Sequence, residues 1–358
     1  MTIKVKVPGK LIILGEYAVL EGVDALVASI DRFVTASIST SENDYYRISS
    51  NLSSDPVTFM INDSGKIIPK EDQSDQLLSI MHFAVSIIEQ IYYRISGYKV
   101  EFKPFHLQID TSQFYQETNK NKLGLGSSAA LTVALIVALV YYSKIEKKII
   151  SDNIDLFLFA CDVHFKAQGN KGSGIDIAAS VFGGVNQYNI KSIEEGKKTE
   201  KIVPRSIPEN LFILPVWSGV SASTRNLLSQ IEQYRAHHEK EYQAMMSRLS
   251  VLAESGCMSY AEKNCSDFLD IVADYYKVLH DFSRKSQIGI ISEVHRQIAE
   301  IVFTNGGVYK PSGAGGGDIG LAFCDSTSII DKLKKELNKQ NFKTLLLGIS
   351  HQGVDVNK

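Results

Sequence analysis

Cysteine is scarce in this chain, and the little there is forms no framework. Cys161, Cys257, Cys265 and Cys324 are spread over 358 residues without a C-x-x-C pair, which excludes a disulfide scaffold and a cysteine-based zinc site. Cys161 and His164 are an isolated pair, too few ligands for a metal centre. An excess of one charge is also missing. The net charge is -2 with both signs interspersed, which argues against nucleic acid or a membrane surface as partner and leaves a small molecule. The longest apolar run, residues 129–142, is too short to cross a bilayer. The first residues alternate like a strand rather than a signal peptide. No G-x-x-x-x-G-K-[ST] occurs, so the Walker P-loop is excluded. The expectation is a soluble, cytoplasmic protein, long enough for two domains with substantial cores.

Periodicity places strands at 3–7 and 11–14 around Pro8-Gly9, a β-rich segment at 25–39, and a polar stretch at 40–54. It places helices at 76–95, 127–142, 153–165 and 175–182, and strands at 100–110 and 185–188. Residues 191–205 are charged and aperiodic and suit a surface excursion near a domain boundary. A strand at 211–217, helices at 224–252, 260–279 and 291–303, a strand at 319–323, a helix at 328–338 and a last strand near 344–349 complete the pattern. Strands and helices mixed without strict βαβ alternation predict an α+β protein.

The most informative stretch is Gly124-Leu125-Gly126-Ser127-Ser128-Ala129-Ala130, which opens the apolar helix at 127–142. Two glycines permit a tight turn and close backbone approach. The hydroxyls arrive where a helix has N–H groups without internal partners, at the positive end of its dipole. Two readings are open: a phosphate site, or a turn and cap for a buried helix. Gly124-x-Gly126-x-x-Ala129 also fits G-x-G-x-x-[G/A], but a dinucleotide fingerprint needs a strand immediately before it. Residues 119–122 suit a loop, so the Rossmann reading is rejected.

Four further segments combine small residues, hydroxyls and a charge. Pro8-Gly9-Lys10 puts an ammonium in an apolar β segment, either partnered or snorkelling to solvent. Gly172-Ser173-Gly174-Ile175-Asp176 puts a carboxylate at the start of an apolar helix, where it either meets the helix dipole or pairs with a cation such as Lys10. Residues 218–225 offer Ser221, Ser223, Thr224 and Arg225, either to an anion or to ordinary capping. Residues 310–318 hold four glycines between hydrophobic segments, and a loop closing its N–H groups on an anion explains them better than a flexible hairpin.

P-G-K-L-x-x-x-G-E-Y, G-L-G-S-S-A-A and S-G-A-G-G-G-D, in that order and spanning nearly the whole chain, resemble the three motifs of the GHMP small-molecule kinases. Within that superfamily Gly15–Val19, residues 31–36, the Ser221–Thr224 run and Gly317-Asp318 are most similar to the phosphomevalonate kinase family. The resemblance implies a ribosomal protein S5 domain 2-like N-terminal domain (1–190), a ferredoxin-like C-terminal domain (191–358) and an active site between them. It further implies ATP and Mg²⁺ as cofactors, 5-phosphomevalonate as acceptor, and a monomer or homodimer. Lys10 and Asp176 would form the catalytic pair. Gly124, Leu125, Gly126, Ser127, Ser128 and Ala129 would bind ATP, with Ser128 at the metal. Glu16, Tyr17, Ser173, Gly174, Ser221, Ser223, Thr224, Lys310, Ser312, Gly313, Ala314, Gly315 and Gly316 would hold the acceptor. The chain departs from the mevalonate kinase pattern in one place. About a dozen residues before Asp176, where those enzymes carry a metal-binding Glu, stand His164, Phe165 and Lys166, with no carboxylate until Asp162. The alternatives are an alcohol-directed kinase of the superfamily, such as mevalonate kinase, and a catalytically silent ligand sensor.

Overall fold

The computed structural model describes residues 2–41, 43–62, 64–70, 73–98, 103–116, 121–169, 172–190 and 202–358. The chain opens with β1 (Thr2–Leu14), paired antiparallel with β2 (Ala25–Thr40) across a single-turn 3-10 helix at Ala18–Glu21. Sequence reasoning splits β1 at Pro8-Gly9. In the structure it runs through on a bulge, the partner changing from Phe33 opposite Pro8 to Ile30 opposite Gly9. Proline has no N–H for the ladder, and a bulge is where a strand tolerates it. Gly9 must be glycine: a Cβ would stand 2.6 Å from the Leu125 carbonyl oxygen. That carbonyl accepts from the Lys10 N–H at 2.9 Å, docking the first glycine loop on β1.

Residues 40–54, expected only as a polar stretch, contribute to a hairpin of β3 (Tyr46–Ser50) and β4 (Ser53–Ile61), followed by β5 (Ile67–Pro69). Only Ile48, Val57 and Phe59 of the hairpin are fully buried, too few apolar residues for alternation to stand out. Next come α1 (Asp75–Ser96), β6 (Phe105–Asp110), α2 (Ser127–Tyr142), the short α3 (Glu146–Ile149), α4 (Asn153–Ala167), α5 (Ile175–Phe182) and β7 (Val185–Tyr188). Of the strand expected at 100–110, residues 100–102 lie outside the described residues. Helix α2 is apolar on every side and packs against β1, β2 and α5, as an all-apolar helix must be buried. The excursion expected at 191–205 ends in a strand, β8 (Ile202–Arg205), paired with β7. Residues 191–201 lie outside the described residues.

The second half comprises β9 (Phe212–Trp217), α6 (Thr224–His237), α7 (Glu239–Ala261), α8 (Cys265–Ser286), α9 (Glu293–Thr304), β10 (Val308–Pro311), β11 (Ile319–Cys324), α10 (Thr327–Lys339), β12 (Lys343–Thr344) and β13 (Asp355–Asn357). The single helix expected at 224–252 is broken at His238, which has φ -135° and stacks on Tyr234 at 4.7 Å between ring centroids. The apolar spacing continues across the break, so periodicity does not register it. The next helix starts at Cys265 rather than 260, behind an Asn264 cap that accepts from the Asp267 N–H. The last strand expected at 344–349 shrinks to Lys343–Thr344, and the chain then returns to pair β13 with β1.

The strands form a nine-stranded sheet (β13-β1-β2-β6-β3-β4-β5, with β7 and β8 branching from β2) and a four-stranded sheet, β10-β11-β9-β12. This is an α+β architecture, as expected. The division expected at residue 190 does not coincide with a sheet boundary, since β8 and β13 both join the larger sheet. Among the described residues no helix is long and apolar enough to cross a membrane.

Candidate active site

The N-terminus of α2 bears on the two readings of the first glycine loop. Its N-cap is Gly126, in the left-handed region at φ 79°, and no side chain caps the helix. The first N–H groups thus meet no side-chain cap, and the Ser127 and Ser128 hydroxyls are not used as caps. Helix α5 also begins on a left-handed Gly174 that supplies no cap, its first N–H, that of Ile175, reaching Ser173 Oγ at 3.5 Å. Of the three helices that follow these small-residue motifs, α6 is capped by a side chain, the Ser223 hydroxyl accepting from the Asn226 N–H at 3.3 Å.

The glycines of the first loop also make room for protein. A Cβ on Gly126 would stand 2.7 Å from Lys10 Cγ, and one on Gly124 would stand 2.3 Å from Asp318 Cβ. Lys10 therefore crosses the turn and reaches α5, where its Nζ lies 3.6 Å from Asp176 Oδ1. The ammonium read from the sequence as either snorkelling or partnered is partnered, and with the carboxylate anticipated for it.

Two cavities meet at this pair. The larger, about 510 Å³, is lined by Ser127 and Ser128 and by apolar side chains such as Met81, Phe83 and Leu131. The smaller, about 170 Å³, is lined by Glu16, Tyr17, Ser173, Gly174 and the loop from Ser312 to Gly315. Lys10, Asp176, Ser128, Thr224, Arg225 and Asp318 border both. Lys122 and Ser223 add to the larger cavity.

Burial sets the electrostatics. It pushes the Lys122 ammonium below its ordinary pKa, against the opposing pull of Asp318, and raises the Asp318 carboxyl, against hydrogen bonding to Ala222 and the charges of Lys10 and Lys122. His164 is held down by burial, partly offset by Asp176. In the last turn of α4 and at its C-cap, His164 Nε2 and Gln168 Nε2 lie 3.5 Å and 3.2 Å from Ser128 Oγ. Asp162 is occupied by Lys166 at 3.1 Å.

Residues 83–184 match the family described as GHMP kinases N terminal domain. A phosphomevalonate kinase from Streptomyces sp. (strain CL190) is 26% identical over 348 residues, covering 90% of each protein. A Listeria innocua protein of solved structure aligns over 100% of both chains with TM-score 0.84 and 25% identity. Streptococcus pneumoniae phosphomevalonate kinase, solved with phosphomevalonate and AMPPNP, aligns over 97% of this chain and 99% of that one, with TM-score 0.77 and 23% identity. Residues 83–184 thus form a GHMP kinase N-terminal domain, and the whole chain has the fold of these kinases.

The fold thus brings most of the expected site residues of this kinase together around Lys10, and it redirects several. Lys310 is wholly buried beneath the site. Its Nζ is spent on Glu16 Oε1, the Pro311 carbonyl at 2.9 Å and the Ile12 carbonyl at 3.4 Å. Leu125 and Ala129 turn into the core, and Leu125 contributes its carbonyl to Lys10 rather than to a ligand. Ser221 donates to the Lys122 carbonyl at 3.0 Å, and the Gly316 N–H to the Ile290 carbonyl at 2.8 Å. Spacing does not reveal which way a residue in a motif faces, and neighbours from distant segments decide it.

The wall of the smaller cavity is tightly built. The Ser312 hydroxyl donates to the Ile12 carbonyl and accepts from its N–H, the Gly313 N–H reaches Glu16 Oε1, and the Tyr17 hydroxyl donates to the Ala314 carbonyl. Glu16 Oε2 is buried without a partner. Lys122, Asp318, His164 and Gln168 were not singled out as site residues from the sequence. Adjacency to the glycine loops was a usable signal for Lys122 and Asp318. His164 stands out in the sequence only beside Cys161 and by its place about a dozen residues before Asp176, and no local pattern points to Gln168.

Proposed function

We propose that this kinase transfers the γ-phosphoryl group of ATP to the phosphate of 5-phosphomevalonate, giving 5-diphosphomevalonate in the mevalonate route to isoprenoid precursors. One observation carries the reading: a larger cavity at an uncapped helix N-terminus and a smaller one walled by the Ser312–Gly315 loop share the Lys10–Asp176 pair as their common border. The acceptor is assigned from the Streptomyces and Streptococcus relatives named above.

In this reading Gly124, Gly126, Ser127 and Ser128 hold the ATP phosphates. Ser173, Gly174, Thr224 and the Ser312–Gly315 loop hold the acceptor. Phosphoryl transfer needs alignment and charge stabilisation more than covalent chemistry. Donor and acceptor are both anionic, so their repulsion is the main obstacle. Lys10, Lys122 and the N-termini of α2 and α5 offset it. A phosphate monoester has a second pKa of ~6, so the acceptor is mostly a dianion at neutral pH. Asp176 then chiefly orients Lys10 and the acceptor.

Magnesium fits this donor set in a limited way. Mg²⁺ takes oxygen ligands, often with one or two carboxylates and substrate phosphates, and the Ser128 hydroxyl and Asp176 carboxylate both border the two cavities. Among the described residues no cluster of three His, Cys, Asp or Glu side chains exists, and His164 offers nitrogen. Bound there with the nucleotide, the ion would neutralise phosphate charge. All four cysteines are free, in keeping with the cytoplasm as the working compartment.

The test is ADP release with 5-phosphomevalonate, mevalonate, homoserine and galactose. We expect 5-phosphomevalonate to be by far the best acceptor. Faster turnover of mevalonate moves the protein to the alcohol-directed kinases, and no ADP release with any acceptor makes it a ligand sensor.

A further inference from the structure

His295 has no part in the chemistry above, yet it is fully buried in the first turn of α9 with both ring nitrogens engaged. Nε2 lies 2.8 Å from the Gly317 carbonyl oxygen. A carbonyl only accepts, so Nε2 carries the proton and Nδ1 is the acceptor. The Tyr309 hydroxyl, 2.7 Å away, donates to Nδ1. One imidazole thus spans the third glycine loop, from Tyr309 on the strand that enters it to Gly317 at its exit. Tyr309 is fully buried as well, and only glycine fits at 320, where a Cβ would fall 1.8 Å from its hydroxyl.

The residue after Gly317 is Asp318, a non-glycine at φ 57°, a conformation that Asp adopts more readily than most residues and that its neighbours hold in place. Its N–H donates to the Val220 carbonyl at 2.7 Å and its carbonyl accepts from the Ser218 N–H at 2.8 Å. Its Oδ1 accepts from the Ala222 N–H at 3.2 Å, and its side chain lies against Gly124. Asp318 is thus where the first glycine loop, the 218–225 segment and the third glycine loop meet, on the border of both cavities.

We infer that His295 is a positioning residue for phosphoryl transfer. By fixing the Gly317 carbonyl from below, it sets the left-handed Asp318 that keeps the three ligand-binding segments in register. Misplacing reacting groups by about 1 Å can cost ~10²-fold in rate, so a remote pin of this kind has a kinetic signature.

The experiment compares His295→Leu, His295→Gln and Asp318→Asn, with kcat and KM for each substrate, nucleotide Kd by direct titration, and Tm. His295→Leu should lower kcat/KM for the acceptor roughly tenfold or more. His295→Gln, whose amide can donate to Gly317 and accept from Tyr309, should recover most of that loss. Combining His295→Leu with Asp318→Asn should add little to the worse single variant, because both act through one element. A lower Tm with unchanged kinetics, or losses that multiply in the double variant, overturns the inference. If His295→Leu does not fold, Tyr309→Phe decides: it deletes one hydroxyl and should lower kcat/KM in the same direction, and unchanged constants overturn the proposal. The inference rests on the kinase reading. Failure of the wild type to release ADP with any acceptor sinks that reading, whereas wild-type activity with unaffected variants sinks only this one.

Discussion

Lys310 and Glu16, 294 positions apart in sequence, form an ion pair whose side chains are 0% and 1% exposed. It joins β10 to the turn after β1, directly under the smaller cavity. Both residues carry motif positions that suggest ligand binding, but burial makes the ammonium part of the frame. Removing one partner of such a pair strands the other charge, at a typical cost of ~3–5 kcal/mol. Lys310→Ala should therefore destabilise strongly in urea unfolding, and Lys310→Met combined with Glu16→Gln should recover part of the loss. Normal stability with lost acceptor affinity would return Lys310 to the ligand.

A second prediction separates Lys10 from Asp176. Lys10→Met keeps the apolar stem and removes the ammonium 3.6 Å from Asp176. It should lower kcat by ~10²-fold or more, the usual scale for losing one donor to transition-state charge. Asp176→Asn should be milder, its residual activity rising with ionisation of the acceptor near pH ~6. Pre-steady-state and pH–rate measurements on both variants check this. If Asp176→Asn is inactive at every pH while binding both substrates, obligatory proton abstraction by Asp176 replaces the orienting role.

Gly126→Val tests the first loop. Position 126 is left-handed, and any Cβ there meets Lys10 Cγ at 2.7 Å. The variant should lose nucleotide affinity and displace Lys10 together, with at least ~1–2 kcal/mol of backbone strain. Calorimetric titration with a non-hydrolysable nucleotide reads the first effect. A folded Gly126→Val protein with unchanged affinity would reduce this loop to a structural turn.

The buried imidazole of His295 gives a pH prediction. Burial pushes its pKa down from 6.5 to about 4, against the bond to Gly317. Above pH ~6.5 the ring is neutral in folded and unfolded chains alike, so its contribution is constant. As the pH falls toward ~4 the unfolded chain takes up the proton and the folded chain does not, and stability is lost, by roughly 3 kcal/mol over the whole interval. The advantage of wild type over His295→Gln in urea should therefore shrink by roughly 2 kcal/mol between pH 7 and pH ~4.5. A difference independent of pH would show that the ring titrates normally.

Much of the architecture was legible because its causes are local. An apolar run after two glycines and two serines can only become a buried helix behind a sharp turn, and α2 occupies the span expected for it. Lys10 and Asp176 were recognisable because a charge in an apolar segment demands a partner. The β3–β4 hairpin and the break at His238 were not, because one has too few buried residues and the other leaves the apolar spacing intact.

By itself, then, the sequence determined the loops, the helices they start and the charges placed among them, since backbone freedom and helix-end chemistry act within a few residues. The tertiary structure alone decided which way each motif residue faces. It turned Lys310 to Glu16, Leu125 to the backbone of Lys10 and Ser221 to Lys122, and it brought Gln168 and Asp318 to the border of the two cavities and His164 to the smaller one. These outcomes follow from contacts between segments distant in sequence, fixed by the docking of β1 against the third glycine loop, and no local pattern encodes such a contact.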